Sequence, residues 1–219
     1  FYCDRSYNSI INNKESEGIM PNWCNNSITI KGPKAKIEAL YQEVKGKGKM
    51  LDILRPMPQS LRETTSPTPE KGSANYKGPQ PIVDGYDNWY DWAVNNWGTK
   101  WDVDVDNLEI NHHVAGSDEA EINGWFDSAW APPLHALDYY IEKNPDVSIR
   151  CMYYEGGCDF MGEWEDGADD CLAPSDYKSS DLLDAERHTL LGQLDEQFGI
   201  GESMAEYEQD QYEEVTNAQ

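Results

Sequence analysis

The chain has 219 residues and a formal net charge of -24, from 41 acidic and 17 basic side chains. Its eight Trp and thirteen Tyr supply large buriable surfaces, which excludes a chain too poor in apolar bulk to build a core. No apolar run approaches the roughly 20 residues needed to span a bilayer, and residues 1–19 lack the basic-then-apolar layout of a secretory signal. The reading is a cytoplasmic protein of a bacterial cell, one domain plus an appendage, without a membrane partner.

Residues 1–19 show no period and read as a poorly ordered extension ahead of an internal start at Met20-Pro21-Asn22-Trp23. Ser27-Ile28-Thr29-Ile30 alternates and is rich in β-branched residues, predicting a strand that ends at Gly32-Pro33. Ile37, Leu40, Tyr41 and Val44 then recur at helical spacing, with Pro33 in the first turn of an amphipathic helix. Residues 50–54 read as a short strand stopped by Pro56-Met57-Pro58, and residues 59–81 as a long inserted loop. Asp87 is the expected cap of a second helix, whose Trp89, Tyr90, Ala93, Val94 and Trp97 form a wide apolar face ended by Gly98 in the left-handed region. From Trp101 to Ile110, Trp101, Val103 and Val105 alternate with Asp102, Asp104 and Asp106, predicting a half-exposed strand with an acidic outer face.

Residues 121–130 alternate less cleanly, and Pro132-Pro133 opens a helix with a stripe of Leu134, Leu137, Tyr140 and Ile141 that Asn144-Pro145 stops. Val147, Ile149, Cys151 and Tyr153 mark a strand, Glu155-Gly156-Gly157 a turn, and residues 160–164 its antiparallel partner. Past Gly167, Leu182, Leu183, Leu190, Leu191, Leu194 and Phe198 lie at near-helical spacing, and residues 202–214 add a strongly acidic helix. The order predicts an α+β sandwich over residues 20–166, mainly antiparallel with helices on one face, followed by an acidic, partly helical tail over residues 167–219.

Charge is divided unevenly along this plan. Residues 20–77 hold ten basic and five acidic side chains, residues 78–164 three and seventeen, and residues 165–219 two and sixteen, so the last segment alone carries -14. Each bound phosphate would need a cation and would meet this field, so direct nucleic-acid binding is not expected, whereas basic partners or plain solubility are favoured. The stretch Lys45-Gly46-Lys47-Gly48-Lys49 lacks the Walker pattern and reads as a turn. The odd set Cys3, Cys24, Cys151, Cys158 and Cys171 has no paired CxxC and reads as packed, reduced thiols rather than a zinc site.

Several ordered segments carry a family resemblance: Met20-Pro21-Asn22-Trp23-Cys24-Asn25-Asn26, Arg55-Pro56-Met57-Pro58, Tyr90-Asp91-Trp92 leading into Asn96-Trp97-Gly98-Thr99-Lys100-Trp101, and Phe126-Asp127-Ser128-Ala129-Trp130-Ala131-Pro132-Pro133, extended by Tyr153-Tyr154-Glu155 and Phe160-Met161-Gly162. Over about residues 20–166 these resemble the Api92-like, or YubB-like, ferredoxin-like domain family. The resemblance implies a ferredoxin-like α+β domain carried by phages, conjugative plasmids and related mobile elements. It implies no cofactor, since the name concerns topology and no Cys spacing fits an iron–sulfur cluster. No catalytic residue is transferred by it.

The tryptophan run has two readings. In the first, the family-diagnostic Trp23, Trp92, Trp97, Gly98, Trp101 and Trp130 are structural, with Lys100 pointing to water and Trp101 opening a core strand. In the second they form a stacking platform of the kind single-strand binders use, which needs basic surroundings that Asp102, Asp104 and Asp106 oppose. Those three Asp, or Glu155, Asp159, Glu163 and Glu165 on a hairpin, could hold a hard cation, but without EF-hand spacing they read as solvated faces. His112 and His113 point to opposite faces of a strand and do not chelate as a pair.

The function expected is a non-enzymatic interaction protein of a mobile element whose acidic surface engages a basic host protein, in one form as a DNA mimic. The candidate surface is Asp102, Asp104, Asp106, Glu163, Glu165, Asp166, Asp169, Asp170, Glu206, Glu208, Asp210, Glu213 and Glu214. Two alternatives stay open: a nucleic-acid-associated module using the basic segment 31–77 and exposed aromatics, and a metal-dependent hydrolase.

Overall fold

The computed structural model describes residues 22–112 and 118–217. The extension expected at residues 1–19, and His113, lie outside the described residues. Strand β1 (Trp23–Pro33) alternates exposed and buried positions, with Cys24, Asn26, Ile28 and Ile30 turned inward. Pro33 is the N-cap of α1 (Lys34–Lys47) rather than part of its first turn. Ile37, Leu40 and Val44 of α1 are buried as their spacing requires, and Gly48, at φ 62, ends the helix by donating its N–H to the Val44 carbonyl.

Residues 50–54 depart from the expected strand: Leu51–Leu54 is a single helical turn, α2. A short apolar run carries no period that separates strand from helix. The deciding group is Asp102, whose carboxylate accepts the N–H groups of Met50, Leu51 and Asp52 at 2.8 to 3.0 Å. These are the donors a helix leaves unsatisfied at its start, and here the cap comes from about fifty residues further along the chain.

After a 3-10 turn (Gln59–Leu61), the long loop is pinned by Gln80, whose side chain accepts the Thr65 N–H and donates to the Thr65 and Asp87 carbonyls. The next helix, α3 (Trp89–Trp97), is capped by Asn88 rather than Asp87: the Asn88 side chain accepts the Asp91 N–H at 2.9 Å. Gly98, at φ 92, ends α3 in the left-handed region as expected.

The strand expected from Trp101 to Ile110 is present only as β2 (Glu109–Asn111). Val103 and Val105 are buried and Asp104 and Asp106 exposed, so the alternation of burial is real. What is missing, among the described residues, is a neighbouring strand. Asp102 turns in toward α2 and lies on no acidic outer face. Period two reports which side of an extended chain meets the core, and pairing needs a second backbone in reach.

Strand β3 (Glu119–Ala129), helix α4 (Leu134–Lys143), strand β4 (Ser148–Glu155) and strand β5 (Phe160–Glu165) follow as expected in type. A further strand, β6 (Ala168–Leu172), pairs antiparallel with β5. Between them Asp166 and Gly167 both have positive φ, 46° and 95°. That is the two-residue hairpin turn for which Asp-Gly is a preferred sequence. The boundary drawn between 166 and 167 therefore falls inside a hairpin, and the acidic segment supplies an edge strand.

The sheet runs β2-β3-β1-β4-β5-β6, with every neighbouring pair antiparallel. On one face, Ile28, Ile30, Ile122, Phe126, Ile149 and Tyr153 form the main core with residues of α1, α3 and α4. Helices were expected on that face alone. Instead α5 (Ser179–Leu183), α6 (Leu190–Phe198) and α7 (Ile200–Asn217) build a second cluster on the opposite face, where Met152 and Met161 pack with Leu182, Leu194 and Ile200. The cause lies in β4 and β5, which carry apolar residues outward as well as inward. On that same face β1 and β3 carry Thr29, Asn123 and an exposed Trp125 (55%), and the hydrogen bond from Thr29 Oγ1 to Asn123 Oδ1 spans 2.8 Å. Among the described residues, no helix is long and apolar enough to cross a membrane.

Candidate interaction surface

The fold sorts the acidic candidates into groups with different work. Asp102 caps α2 and also accepts the Val103 N–H at 2.9 Å. Asp166 holds the start of β4 through the Ile149 N–H at 2.7 Å and the Ser148 hydroxyl at 2.8 Å. Asp169 lies toward the main core and accepts the hydroxyl of buried Tyr153 at 2.6 Å. Burial, reinforced by the Asp169 charge, pushes that phenol far above its ordinary range. Glu163 accepts Arg150 Nε at 2.6 Å.

Glu163 and Asp170 are cross-strand partners, a like-charge pair that would be unfavourable alone, and Arg150 beside Glu163 offsets it. Asp104, Asp106, Glu165 and Asp170 are exposed, and Asp104 accepts the Asp106 N–H at 2.8 Å.

Helix α7 gathers the rest. Its 18 residues include Glu202, Glu206, Glu208, Asp210, Glu213 and Glu214 and no Lys or Arg. Glu202, Glu206 and Asp210 are exposed and recur every four residues, hence on one side of the helix. Glu208 instead binds back to the body, accepting the Ser179 hydroxyl at 2.7 Å and the Ser179 N–H at 3.2 Å at the start of α5. These hydrogen bonds hold its carboxyl below the usual range. Buried Ile200 and partly buried Met204 complete the attachment.

The tryptophans divide in the same way. Trp92 and Trp97 are core, packed edge to face at 5.5 Å, and Trp97 Nε1 donates to the Arg55 carbonyl at 2.8 Å. Trp101 opens no core strand: it is 39% exposed and packs at 6.3 Å from Trp23, itself 48% exposed. Lys100 does not simply point to water. Its Nζ lies over three rings, 4.3 Å from the centroid of Trp101, 5.4 Å from Trp130 and 5.8 Å from Tyr90. Neither grouping was legible in the sequence, because residues 23, 90, 101 and 130 meet only when β1, β3, and α3 with the turn after it come together.

Six of the ten cations of the basic segment have partners within the chain, several of them at the surface. Lys31 pairs with Glu119 at 3.0 Å, Lys47 with Glu43 at 2.7 Å, Lys36 with Asp146 and Arg62 with Asp52. Lys45 Nζ donates to the Val105 and Asp106 carbonyls at 2.9 and 3.1 Å, and Arg55 donates to Asn96 while lying 4.8 Å over the Tyr139 ring.

Among the described residues, no group of three His, Cys, Asp or Glu is arranged to hold a metal ion. The described cysteines are free thiols, Cys24 and Cys151 buried and Cys158 and Cys171 partly so. Burial pushes the Cys24 and Cys151 thiols up, and burial together with Glu155 raises that of Cys158 to about 11. Such thiols stay protonated at neutral pH, which disfavours the thiolate a nucleophile needs. Set against known proteins, the chain matches no family model, and it has no significant match among curated proteins or solved structures.

Proposed function

We propose that the chain is a non-enzymatic interaction protein of a phage or related mobile element, one that binds a basic surface of a host protein in the manner of a DNA mimic. The family reading, Api92-like or YubB-like, is part of the same proposal. The strand order β2-β3-β1-β4, with helices α1 to α3 between β1 and β2 and α4 between β3 and β4, supports a ferredoxin-like core within the larger sheet. Basic host surfaces are the partner class because the charge that would attract them is concentrated and fixed in place.

Helix α7 is the observation that carries the reading. Over a length of about 27 Å its sequence holds six acidic residues and no basic one, with Glu202, Glu206 and Asp210 exposed, and Glu208 and Ile200 hold it to the body. Its line density is about one charge per 4.5 Å, against about one per 1.7 Å in duplex DNA. The helix alone therefore supplies about a third of the duplex value, so a mimic needs further carboxylates, such as the exposed Glu165 and Asp170 of the β5–β6 hairpin.

The test keeps the fold intact. Deleting residues 165–219 would remove β6 and the second core, so the informative variant is the triple change Glu202→Gln, Glu206→Gln and Asp210→Gln. The immobilised protein should capture a basic protein from a bacterial lysate at low salt and release it to duplex DNA or to raised salt, while the triple variant captures much less. Equal capture by the variant, or release by neither competitor, refutes the proposal. The nucleic-acid reading is weakened by the partners that Lys31, Lys36, Lys45, Lys47, Arg55 and Arg62 already have within the chain, and a gel shift of single strands lost on changing Lys47 and Lys49 would restore it.

A further inference from the structure

Residues 78–164 contain seventeen acidic and three basic side chains, yet Lys100, one of the three, has no carboxylate within ion-pairing distance among the described residues. It rests against Tyr90, Trp101 and Trp130 instead, with the Trp23 ring beside that of Trp101. One ammonium over three rings is far denser than the usual single cation–π contact per 70 to 80 or so residues.

The rings are held from several directions. Tyr90 stands in the first turn of α3, and the turn after Gly98 is tied to the end of β3 by Thr99 Oγ1, which donates to the Ala129 carbonyl at 2.9 Å. Trp130 donates its N–H to the Asn22 carbonyl at 2.9 Å and sits at φ 68, a conformation costly for a tryptophan and sustained only when its surroundings demand it. Trp23 and Trp101 remain substantially open to solvent.

We propose that Tyr90, Trp101 and Trp130, flanked by Trp23, form a receptor for an arginine side chain of a basic partner, and that Lys100 is the resident cation which such an arginine displaces. The exchange has a direction. An ammonium is a compact, strongly hydrated charge that regains its full water shell on leaving, whereas a guanidinium is planar, weakly hydrated and stacks on aromatic faces. A lysine side chain offered by a partner gains nothing by the same exchange. The inference rests on the interaction reading for the charge of the partner, while the ring geometry stands apart from α7.

The test uses the full chain with short tetra-arginine and tetra-lysine peptides, following the Trp23, Trp101 and Trp130 indole N–H signals by NMR. Removing Lys100 raises attraction for any cation, so the readout is the ratio of the two affinities. Lys100→Ala should raise arginine-peptide affinity about three- to fivefold more than lysine-peptide affinity, with the shifts centred on Trp101 and Trp130. Trp101→Leu should abolish the arginine preference in both backgrounds.

Equal gains for the two peptides, or shifts that bypass these indoles, overturn the proposal. The α7 triple variant separates the two ideas. If it loses host-protein capture but keeps the arginine preference, both stand. Full capture by the triple variant with the arginine preference kept removes the α7 surface alone, and absence of the arginine preference in the parent chain, with capture lost in the triple variant, removes the receptor alone.

Discussion

Asp102→Ala tests the structure most directly, since Asp102 and Asp104 are neighbours in one acidic alternation yet have opposite surroundings. The substitution takes away the acceptor for the N–H groups of Met50, Leu51 and Asp52, and it uncaps α2, whose Leu51 and Leu54 lie in the main core. A lost cap costs about 0.5 to 2 kcal/mol, and a hydrogen bond to a charged group contributes about 1.5 to 3 kcal/mol. Water reaches part of this half-buried site and replaces some of the loss, so the expected cost is about 2 to 3 kcal/mol, or a fall in Tm of about 4 to 12 °C for a chain of this size.

Asp104→Ala removes one exposed turn contact, to the Asp106 N–H, and should change stability by less than about 0.5 kcal/mol. Urea denaturation followed by tryptophan fluorescence gives both numbers, with an unchanged slope confirming that the unfolded state is unaffected. Asp102→Asn should recover part of the loss by keeping an acceptor oxygen. Equal effects of the Asp102 and Asp104 alanine variants would refute the capping role and return residues 101–106 to a solvated acidic face.

Two further outcomes follow from the packing and the titrating groups. Leu194→Ala, at a fully buried position of the second cluster, should cost about 2 to 4 kcal/mol in the unfolding of the whole sheet; a variant that melts only a separate C-terminal transition would show that α6 does not belong to the sheet's core. Burial, with Arg55 beside it, holds His135 below the ordinary imidazole range. The unfolded chain therefore takes the proton first, so the contribution of His135 to stability is full above about pH 6.5 and is lost as pH falls from there toward its folded value. His135→Gln should flatten the stability profile as pH falls below about 6.5, and an unchanged slope there would contradict the assignment.

How much was legible in the sequence depended on whether the deciding interaction was local. Helices α1, α3 and α4 and strands β1, β3, β4 and β5 were readable because burial on one side imprints a period on adjacent residues, and Gly98 and Asn144 mark stops within the same turn. Strand β6 was not read from the sequence, although Asp166-Gly167 between two short runs is a local hairpin signal, because acidic Asp169 and Asp170 made residues 168–172 look like part of the tail. Among the candidate residues, type alone could not separate Asp102, Asp166 and Asp169, which serve the fold, from Asp104, Glu165 and Asp170, which face water. The distinction lies in which backbone N–H or hydroxyl stands opposite each carboxylate.

By itself the sequence determined the α+β character, the inward faces of most strands and the concentration of negative charge in the last quarter of the chain. Those properties depend on residues close together along the chain, and composition or periodicity records them. Only the tertiary structure decided that residues 51–54 are a helical turn, that the C-terminal helices close the second face over Met152 and Met161, and that Lys100 lies among three aromatic rings. Each of these outcomes is set by partners 10 to over 50 residues away, and a partner's identity is fixed only once the sheet has brought distant segments into contact.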